Sequence, residues 1–393
     1  LARMRKEKLP ATGKKIAVIG GGPAGLTAAY YLAQLGHGVT VYDADAELGG
    51  ILRWGIPAYR LPRAVLKKEV SFITKLGVTS VLNTTIPAAG LKKLAAANDA
   101  VIVACGAYRE IDLNIPNEKA RGVLSGTHFL RDVAAGKKTV VGRQVVVIGG
   151  GNVAIDAART ALRLGAQVTV AYRRAHEDMP ANKHEIIDAR AEGITFVCMA
   201  APRSVLVNEA GAVRGVEFTR MSAGEFDVSG RRKPVATAET FSVDCDTVLL
   251  AIGERVDADF LREAGIKSTE YGTAAADLAS LCTNLLNVYV CGDMVSGPST
   301  AVLAMASGKQ AALAVDKQLT GSARHDRLAR KFSYNQQVPF DPQGGGKKQI
   351  KTVAVPARIK NFLEISCGLT REQALAECAR CLRCDVKETQ PSK

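Results

Sequence analysis

The stretch Lys15-Ile16-Ala17-Val18-Ile19-Gly20-Gly21-Gly22-Pro23-Ala24-Gly25-Leu26 decides the fold. Lys15 to Ile19 reads as a short buried strand, and Gly20, Gly22 and Gly25 take the three positions of a G-x-G-x-x-G motif. Leu26 to Leu35, rich in Ala and Leu, reads as a helix ended by Gly36, and Val39-Thr40-Val41-Tyr42 as the next strand. Asp43 closes that strand, twenty-three residues after the first motif glycine. Such a strand–helix–strand unit suits a dinucleotide. The first glycine permits the tight turn, the second lets the backbone approach a pyrophosphate, and the third lets helix and strand pack closely. The helix N-terminus offers free N–H groups and a partial positive charge to the diphosphate. Asp43 stands where a carboxylate takes the ribose hydroxyls of the adenosine half.

The pattern recurs further along. Val145 to Ile148 reads as a strand, Gly149-Gly150-Gly151-Asn152-Val153-Ala154 as G-x-G-x-x-A, Ile155 to Leu164 as a helix ended by Gly165, and Val168 to Tyr172 as a strand. No acid follows this strand; Arg173 and Arg174 stand there instead. A carboxylate would repel a 2′-phosphate, whereas guanidinium groups bind it bidentately. The second site therefore reads as NADP(H), with two solvated arginines as the plainer alternative. Two strands end on glycine, Val101 to Gly106 through Ala104, and Asp246 to Gly253 through Ala251 and Ile252. A late strand, Val288 to Val290, runs into Gly292-Asp293, followed by a loop to Ser299 and a helix over Thr300 to Leu319. Asp293 is either an acid at a helix start or a carboxylate placed for a ribityl hydroxyl.

Two fingerprints, two strand-to-glycine endings and a late Gly-Asp describe a flavoprotein that binds two dinucleotides, FAD first and NADP(H) second. The fold class is α/β, two Rossmann-like domains with the NAD(P)H domain inserted in the FAD domain, plus a Cys-rich tail. The expected divisions are a basic lead-in at 1–15, FAD-binding halves at 16–118 and 254–325, the NADP(H)-binding domain at 119–253, a linker or wrapping arm at 326–360, and the tail at 361–393. Arg203 to Phe241 looks like antiparallel hairpins within the second domain, and Val65 to Leu76 has helical periodicity. Gly49 to Pro57 reads as a loop against the cofactor. Arg60 and Arg63 are surface charges or neutralise the pyrophosphate.

The 393 residues are 47% hydrophobic and carry a formal net charge of +14. Anionic dinucleotides or an acidic protein partner account for that excess. No basic run is interleaved with aromatics, so nucleic acid is not expected. The apolar run from Ile16 to Leu35 is broken by glycines and a proline, so no transmembrane segment is expected, and no signal peptide is apparent. Nine cysteines, an odd and scattered set, do not form a secreted disulfide framework, which points to a reducing, cytoplasmic setting. The chain opens Leu1-Ala2-Arg3-Met4, without an initiator Met, which suggests a natural start upstream.

The stretches Gly49-Gly50-Ile51-Leu52-Arg53-Trp54-Gly55-Ile56-Pro57-Ala58-Tyr59-Arg60-Leu61-Pro62, Gly149 to Arg159, Tyr172-Arg173-Arg174, Met179-Pro180-Ala181 and Gly292 to Thr300 resemble the glutamate synthase small-subunit family. That family is similar in turn to the N-terminal part of dihydropyrimidine dehydrogenase and to the large subunit of NADH-dependent ferredoxin:NADP oxidoreductase. The resemblance covers roughly residues 12–320. It implies FAD contacts at Gly22, Pro23, Ala24, Gly25, Asp43, Ile51 and Arg60, and flavin-ring contacts at Gly292, Asp293, Ser299, Thr300 and Ala301. It implies NADPH contacts at Gly151, Asn152, Val153, Ala154, Arg173, Arg174 and Ala251-Ile252-Gly253. Gly20, Leu26, Gly50, Ala104, Gly106 and Gly149 complete the candidate cofactor-binding set. Met179-Pro180-Ala181 has no role assigned from the sequence. The family usually carries an N-terminal iron–sulfur domain, whereas in this sequence residues 1–15 read as a basic lead-in to the first strand. A separate subunit supplies it, it was lost, or electrons leave by another route.

The tail offers such a route. Cys378, Cys381 and Cys384, at x-x spacing, have the triple used by bacterial 4Fe–4S sites, with Cys367 as the remote fourth ligand. A structural zinc site and unligated thiols remain open alternatives. Some family members end in a similar Arg-Cys-Leu-Arg-Cys-Asp, here Arg380 to Asp385. The implied activity is that of an FAD-dependent NAD(P)H oxidoreductase passing electrons between NADPH, FAD and iron–sulfur clusters of partner subunits or a ferredoxin. No side chain is needed as an acid–base catalyst. The alternatives are the glutamate synthase small subunit proper, and a nucleotide-binding sensor or scaffold subunit without turnover.

Overall fold

The computed structural model describes residues 8–227, 230–325 and 346–379. The chain begins with β1 (Lys15–Ile19), β2 (Gly38–Tyr42), β3 (Thr79–Val81) and β4 (Ala100–Val103). It then leaves through β5 (Arg109–Glu110) and builds β6 (Val123–Ser125), β7 (Gln144–Ile148), β8 (Gln167–Tyr172) and β9 (Thr195–Cys198). Three long strands follow, β10 (Ala200–Val207), β11 (Val213–Phe226) and β12 (Arg232–Asp244), before β13 (Thr247–Leu250). It returns through β14 (Glu254–Arg255) to β15 (Val288–Val290).

These strands make two parallel five-stranded sheets, ordered β15-β4-β1-β2-β3 and β6-β13-β7-β8-β9. The last strand lies beside β4, Val290 opposite Val103, so one sheet is assembled from both ends of the chain. The second domain is thus an insertion. The antiparallel pair β5–β14 carries the chain out and back, and Asp257 fastens it by accepting from Tyr108 Oη at 2.8 Å and Arg109 Nε at 2.9 Å. The central strands of both sheets, β1 and β7, bury four apolar residues in a row, as a strand covered on both faces requires. Beside the second sheet, β10–β12 form a three-stranded antiparallel sheet, with Asp227 following the end of β11 and Arg231 preceding the start of β12.

The helix Ala301–Thr320 crosses the fingerprint helix Pro23–Gln34 at close range, because a Cβ on Gly308 would lie 2.1 Å from the Ala24 carbonyl oxygen. Two segments expected as loops instead contain single helical turns, Ile51–Trp54 and Asp293–Ser296. Each follows a glycine at positive φ, Gly50 at 52° and Gly292 at 66°. One turn is too short for hydrophobic periodicity to reveal. Helices at Ala88–Ala97, Gly126–Ala134 and Lys183–Ala191 are further elements the sequence reading did not place.

Residues 352–366, the C-terminal arm, touch both domains. Thr352 bridges Ser366, the Ile365 N–H donates to the Tyr59 carbonyl at 3.2 Å, and buried Arg358 pairs with Asp188 and Glu192 of the second domain. Among the described residues no helix is long and apolar enough to cross a membrane.

Candidate functional site

The two glycine loops are built alike. A Cβ on Gly20 would lie 2.4 Å from the Ala104 carbonyl oxygen, and one on Gly149 would lie 2.2 Å from that of Ala251. The strand-to-glycine endings, Ala104-Cys105-Gly106 and Ala251-Ile252-Gly253, are therefore the walls against which the first glycine of each loop rests. Gly25 leaves no room for a side chain either, since its Cβ would meet the Gly20 carbonyl oxygen at 1.9 Å. Ala154 holds the matching place in the second loop and is fully buried.

The middle glycines behave differently. Gly22 and Gly151 are the N-caps of the helices Pro23–Gln34 and Asn152–Arg163, and neither helix has a side-chain cap. A Cβ at Gly151 would meet nothing within 4 Å, and one at Gly22 only the Gly50 Cα at 3.9 Å. Both helix starts thus lack a side-chain cap and border open space, an arrangement that fits a diphosphate at each. Leu26 and Ala24 turn their side chains into the core, leaving only backbone toward this space.

Around the first loop, Asp43 accepts from Gly21 N–H at 2.6 Å and from Asp45 N–H at 2.8 Å. Burial raises its pKa, and these two bonds pull against that rise. Each carboxylate oxygen keeps a lone pair for a further donor. Gly50 packs on Gly22, and Ile51, 42% exposed, follows it. Across the fingerprint helix, Gly292 sits on Ala24 and donates its N–H to Ser307 Oγ at 3.0 Å. Asp293 accepts from Ser299 Oγ at 3.1 Å, and burial raises its pKa against that bond. Thr300 caps the helix that starts at Ala301, its Oγ1 accepting from Leu303 N–H at 3.3 Å. Gly106, at φ 76°, has nothing within 4 Å of its Cβ position.

Around the second loop the structure explains Met179-Pro180-Ala181. Met179 and Ala181 are buried, the Ala181 N–H donates to the Gly150 carbonyl at 3.2 Å, and the Asn182 N–H donates to Asn152 Oδ1 at 2.9 Å. This segment latches the glycine loop from outside. Tyr172 lies against the same loop, its ring 2.5 Å from where a Gly150 Cβ would stand. Arg173 is exposed, and Arg174 is buried and paired with Asp227 at 2.8 Å.

Arg60 and Arg63 both have partners within the protein. Arg63 donates to the carbonyls of Leu52 and Ile56, bracing the loop from inside. Arg60 reaches into the second domain and grips Asp156 with two bonds of 2.8 and 2.7 Å, with Glu185 at 3.0 Å. Beside it lies a buried charge cluster that the sequence reading missed. Arg159, fully buried, donates to Glu192 and Glu185; Arg163 donates to Glu192; and Arg358 approaches Glu192 from the C-terminal arm. Burial alone would raise the Glu192 carboxyl, but hydrogen bonds from Arg159 and Arg163 hold it at about 2. Burial pushes Asp156 up to about 6 despite Arg60. Tyr59 is fully buried beneath the Arg159 and Arg163 guanidiniums, whose carbons lie 5.1 and 3.9 Å from its ring centroid. The cluster joins the Gly49–Pro62 loop, the second domain and the C-terminal arm.

The seven described cysteines are free. Cys105, Cys245 and Cys291 are held up at about 12 by burial, so they are inert thiols. Cys367 and Cys378 are exposed, and their companions Cys381 and Cys384 lie outside the described residues. Among the described residues no three metal-binding side chains converge.

Two Rossmann units with uncapped glycine loops, one inserted in the other, define a class of two-dinucleotide oxidoreductases. The chain belongs to the pyridine nucleotide-disulphide oxidoreductase family, whose sequence pattern matches residues 14–308. It is 40% identical over 388 residues to the NADP(+)-dependent formate dehydrogenase subunit beta of Moorella thermoacetica, a match spanning 95% of this chain and 55% of that one. It is 35% identical over 321 residues to the glutamate synthase [NADPH] small chain of Escherichia coli, spanning 77% of this chain and 68% of that one. The chain thus spans little more than half the length of the first of these relatives. Among solved structures, FprA of Mycobacterium tuberculosis in complex with NADPH shares the fold with a TM-score of 0.67 at 20% identity, over 81% of this chain and 87% of that one.

Proposed function

We propose that the chain is an FAD-dependent NADPH oxidoreductase that serves as the electron-transfer subunit of a larger redox assembly. One observation carries the reading. Two equivalent helix N-termini face open space, and the strands beside them end in opposite charge, Asp43 at the first and Arg173-Arg174 at the second. FAD suits the first, where a carboxylate can take ribose hydroxyls, and NADP(H) the second, where guanidiniums can take a 2′-phosphate. Bound flavin would supply both hydride acceptance and single-electron release. The chain's own residues bind and orient. The Gly22 and Gly151 loops present N–H groups to diphosphates, Asp293 with Ser299 offers a carboxylate beside the first loop, and the Asp178–Asn182 segment latches the second.

The relatives named as beta or small subunits support a multisubunit setting. The spacing of Cys378, Cys381 and Cys384, with Cys367 upstream, supports a 4Fe–4S cluster in the tail as the electron exit. Cytoplasmic residence fits the free cysteines.

Gly22→Val tests the first assignment. Gly22 has φ −76° and an open Cβ position, so valine fits the backbone and fills only the space meant for pyrophosphate. The variant should fold, retain nucleotide binding at the second loop and purify without flavin. A full complement of FAD in Gly22→Val would refute the assignment.

A further inference from the structure

We propose that Asp227 and Arg231, which flank the connection between β11 and β12, complete the adenosine end of the second dinucleotide site, with Asp227 holding the place of the 2′-phosphate on Arg174 until the cofactor arrives, and Arg231 contributing a further guanidinium to that phosphate. The proposal rests on the reading of the second loop as an NADP(H) site.

The two arginines at the end of β8 are unlike. Arg173 stands in solvent, whereas Arg174 is only 8% exposed. A guanidinium that deep needs an anion. Asp227 supplies it from another element, with Oδ2 2.8 Å from an Arg174 terminal nitrogen. Asp227 and Arg231 bond to each other: Asp227 N–H donates to the Arg231 carbonyl at 2.8 Å, and Arg231 N–H donates to Asp227 Oδ1 at 3.3 Å. Arg231 and Arg232 are also moored to the site. Arg232 N–H donates to Asp178 Oδ1 at 3.4 Å, and the Arg231 side chain hydrogen-bonds the Tyr172 hydroxyl. That hydroxyl in turn donates to the Asp178 carbonyl at 3.0 Å, while the tyrosine ring rests on Gly150. The glycine loop, Tyr172, Arg231, Asp227 and Arg174 therefore form one continuous line of contacts.

A carboxylate on a guanidinium presents the same two-oxygen face as a phosphate. Asp227 and a 2′-phosphate compete for the same donors, and the phosphate carries about −1.5 to −2 charge against −1. The phosphate takes Arg174 and Arg231, and the Asp227 side chain, 16% exposed, turns to water. A nucleotide without the 2′-phosphate cannot drive this exchange, so Arg174 stays neutralised by Asp227. Asp227 and Arg231 thereby add discrimination that Arg173 and Arg174 alone would lack.

Calorimetric titration of the FAD-loaded full chain with 2′,5′-ADP and with 5′-AMP tests this. Asp227→Asn should tighten 2′,5′-ADP several-fold and leave 5′-AMP unchanged. Arg231→Gln should weaken 2′,5′-ADP by about tenfold or more and spare 5′-AMP, as the loss of a charge-assisted contact requires. Arg232→Gln, which keeps the backbone bond to Asp178, should change neither. Unchanged or weaker 2′,5′-ADP binding in Asp227→Asn would overturn the place-holder role. Equal loss of both ligands in Arg231→Gln, or equal effects of Arg231→Gln and Arg232→Gln, would overturn the phosphate contact. If the unaltered protein bound the two ligands equally, the NADP(H) reading itself would fall, which separates the two failures.

Discussion

Replacing Glu192 by glutamine should loosen the joint between the two domains. The Glu192 side chain is fully buried and accepts four hydrogen bonds: from Arg159 at 3.0 and 2.6 Å, and from Arg163 at 2.9 and 3.1 Å. Arg358 of the C-terminal arm lies 2.9 Å away. Glutamine keeps the volume but removes the charge and turns an amide donor toward cationic donors. Breaking a buried pair by removing one partner costs ~3–5 kcal/mol. Glu185 and Asp188, the partly exposed carboxylates nearby, soften the loss, so the low end of that range is expected. Linkage gives an independent figure. The Glu192 carboxyl lies at about 2 in the folded chain against 4.5 for the free group. A depressed carboxylate stabilises the fold above its unfolded pKa and loses that stability as pH falls toward the folded one. At roughly 1.4 kcal/mol per pKa unit, the contribution above pH 4.5 is about 3 kcal/mol, lost between pH 4.5 and 2. Urea unfolding followed on the fluorescence of the single tryptophan, Trp54, which sits in the joint between Arg53 and Arg131, reads the relevant boundary. Glu192→Gln should lose about 3 kcal/mol at pH 7 and show a flatter acid limb than the unaltered chain. A loss under about 1 kcal/mol, with an unchanged acid limb, would refute the reasoning.

Two further outcomes follow from the sites. Arg173→Ala combined with Arg174→Ala should lower the preference for NADPH over NADH at least about tenfold in kcat/KM, because charge-assisted contacts to a phosphate contribute roughly 1.5–3 kcal/mol each. An unchanged preference would remove the arginines from the phosphate site. In protein prepared without oxygen, the tail should hold about four irons per chain, and Cys381→Ser should abolish them while FAD stays bound. One zinc per chain and no iron would make the tail a structural clip.

What the sequence disclosed was local. Each glycine motif lies within a dozen residues of its strand and helix, so Gly20, Gly25 and Gly149 could be placed before any long-range contact was known. The insertion was legible too, because a late Gly292-Asp293 had to return to the first sheet, and β15 does so beside β4. The joint was not legible. Tyr59, Arg60, Arg159, Glu192 and Arg358 come from distant stretches, and nothing in local periodicity tells a buried, paired arginine from a solvated one. Arg60 illustrates the limit: family resemblance offered a cofactor contact, but nothing local foretold that its guanidinium also pairs with Asp156 of the second domain. Met179-Pro180-Ala181 became intelligible only when its backbone met Gly150. The single-turn helices escaped because four residues carry no measurable period.

The central claim is that electrons enter from NADPH at the second loop and reach a flavin at the first. Anaerobic titration of the FAD-loaded protein tests it most directly. About one equivalent of NADPH per flavin should bleach the yellow absorbance, and NADH should do so at least about tenfold less efficiently. Flavin that stays oxidised in excess NADPH, or that NADH reduces equally well, would contradict the account.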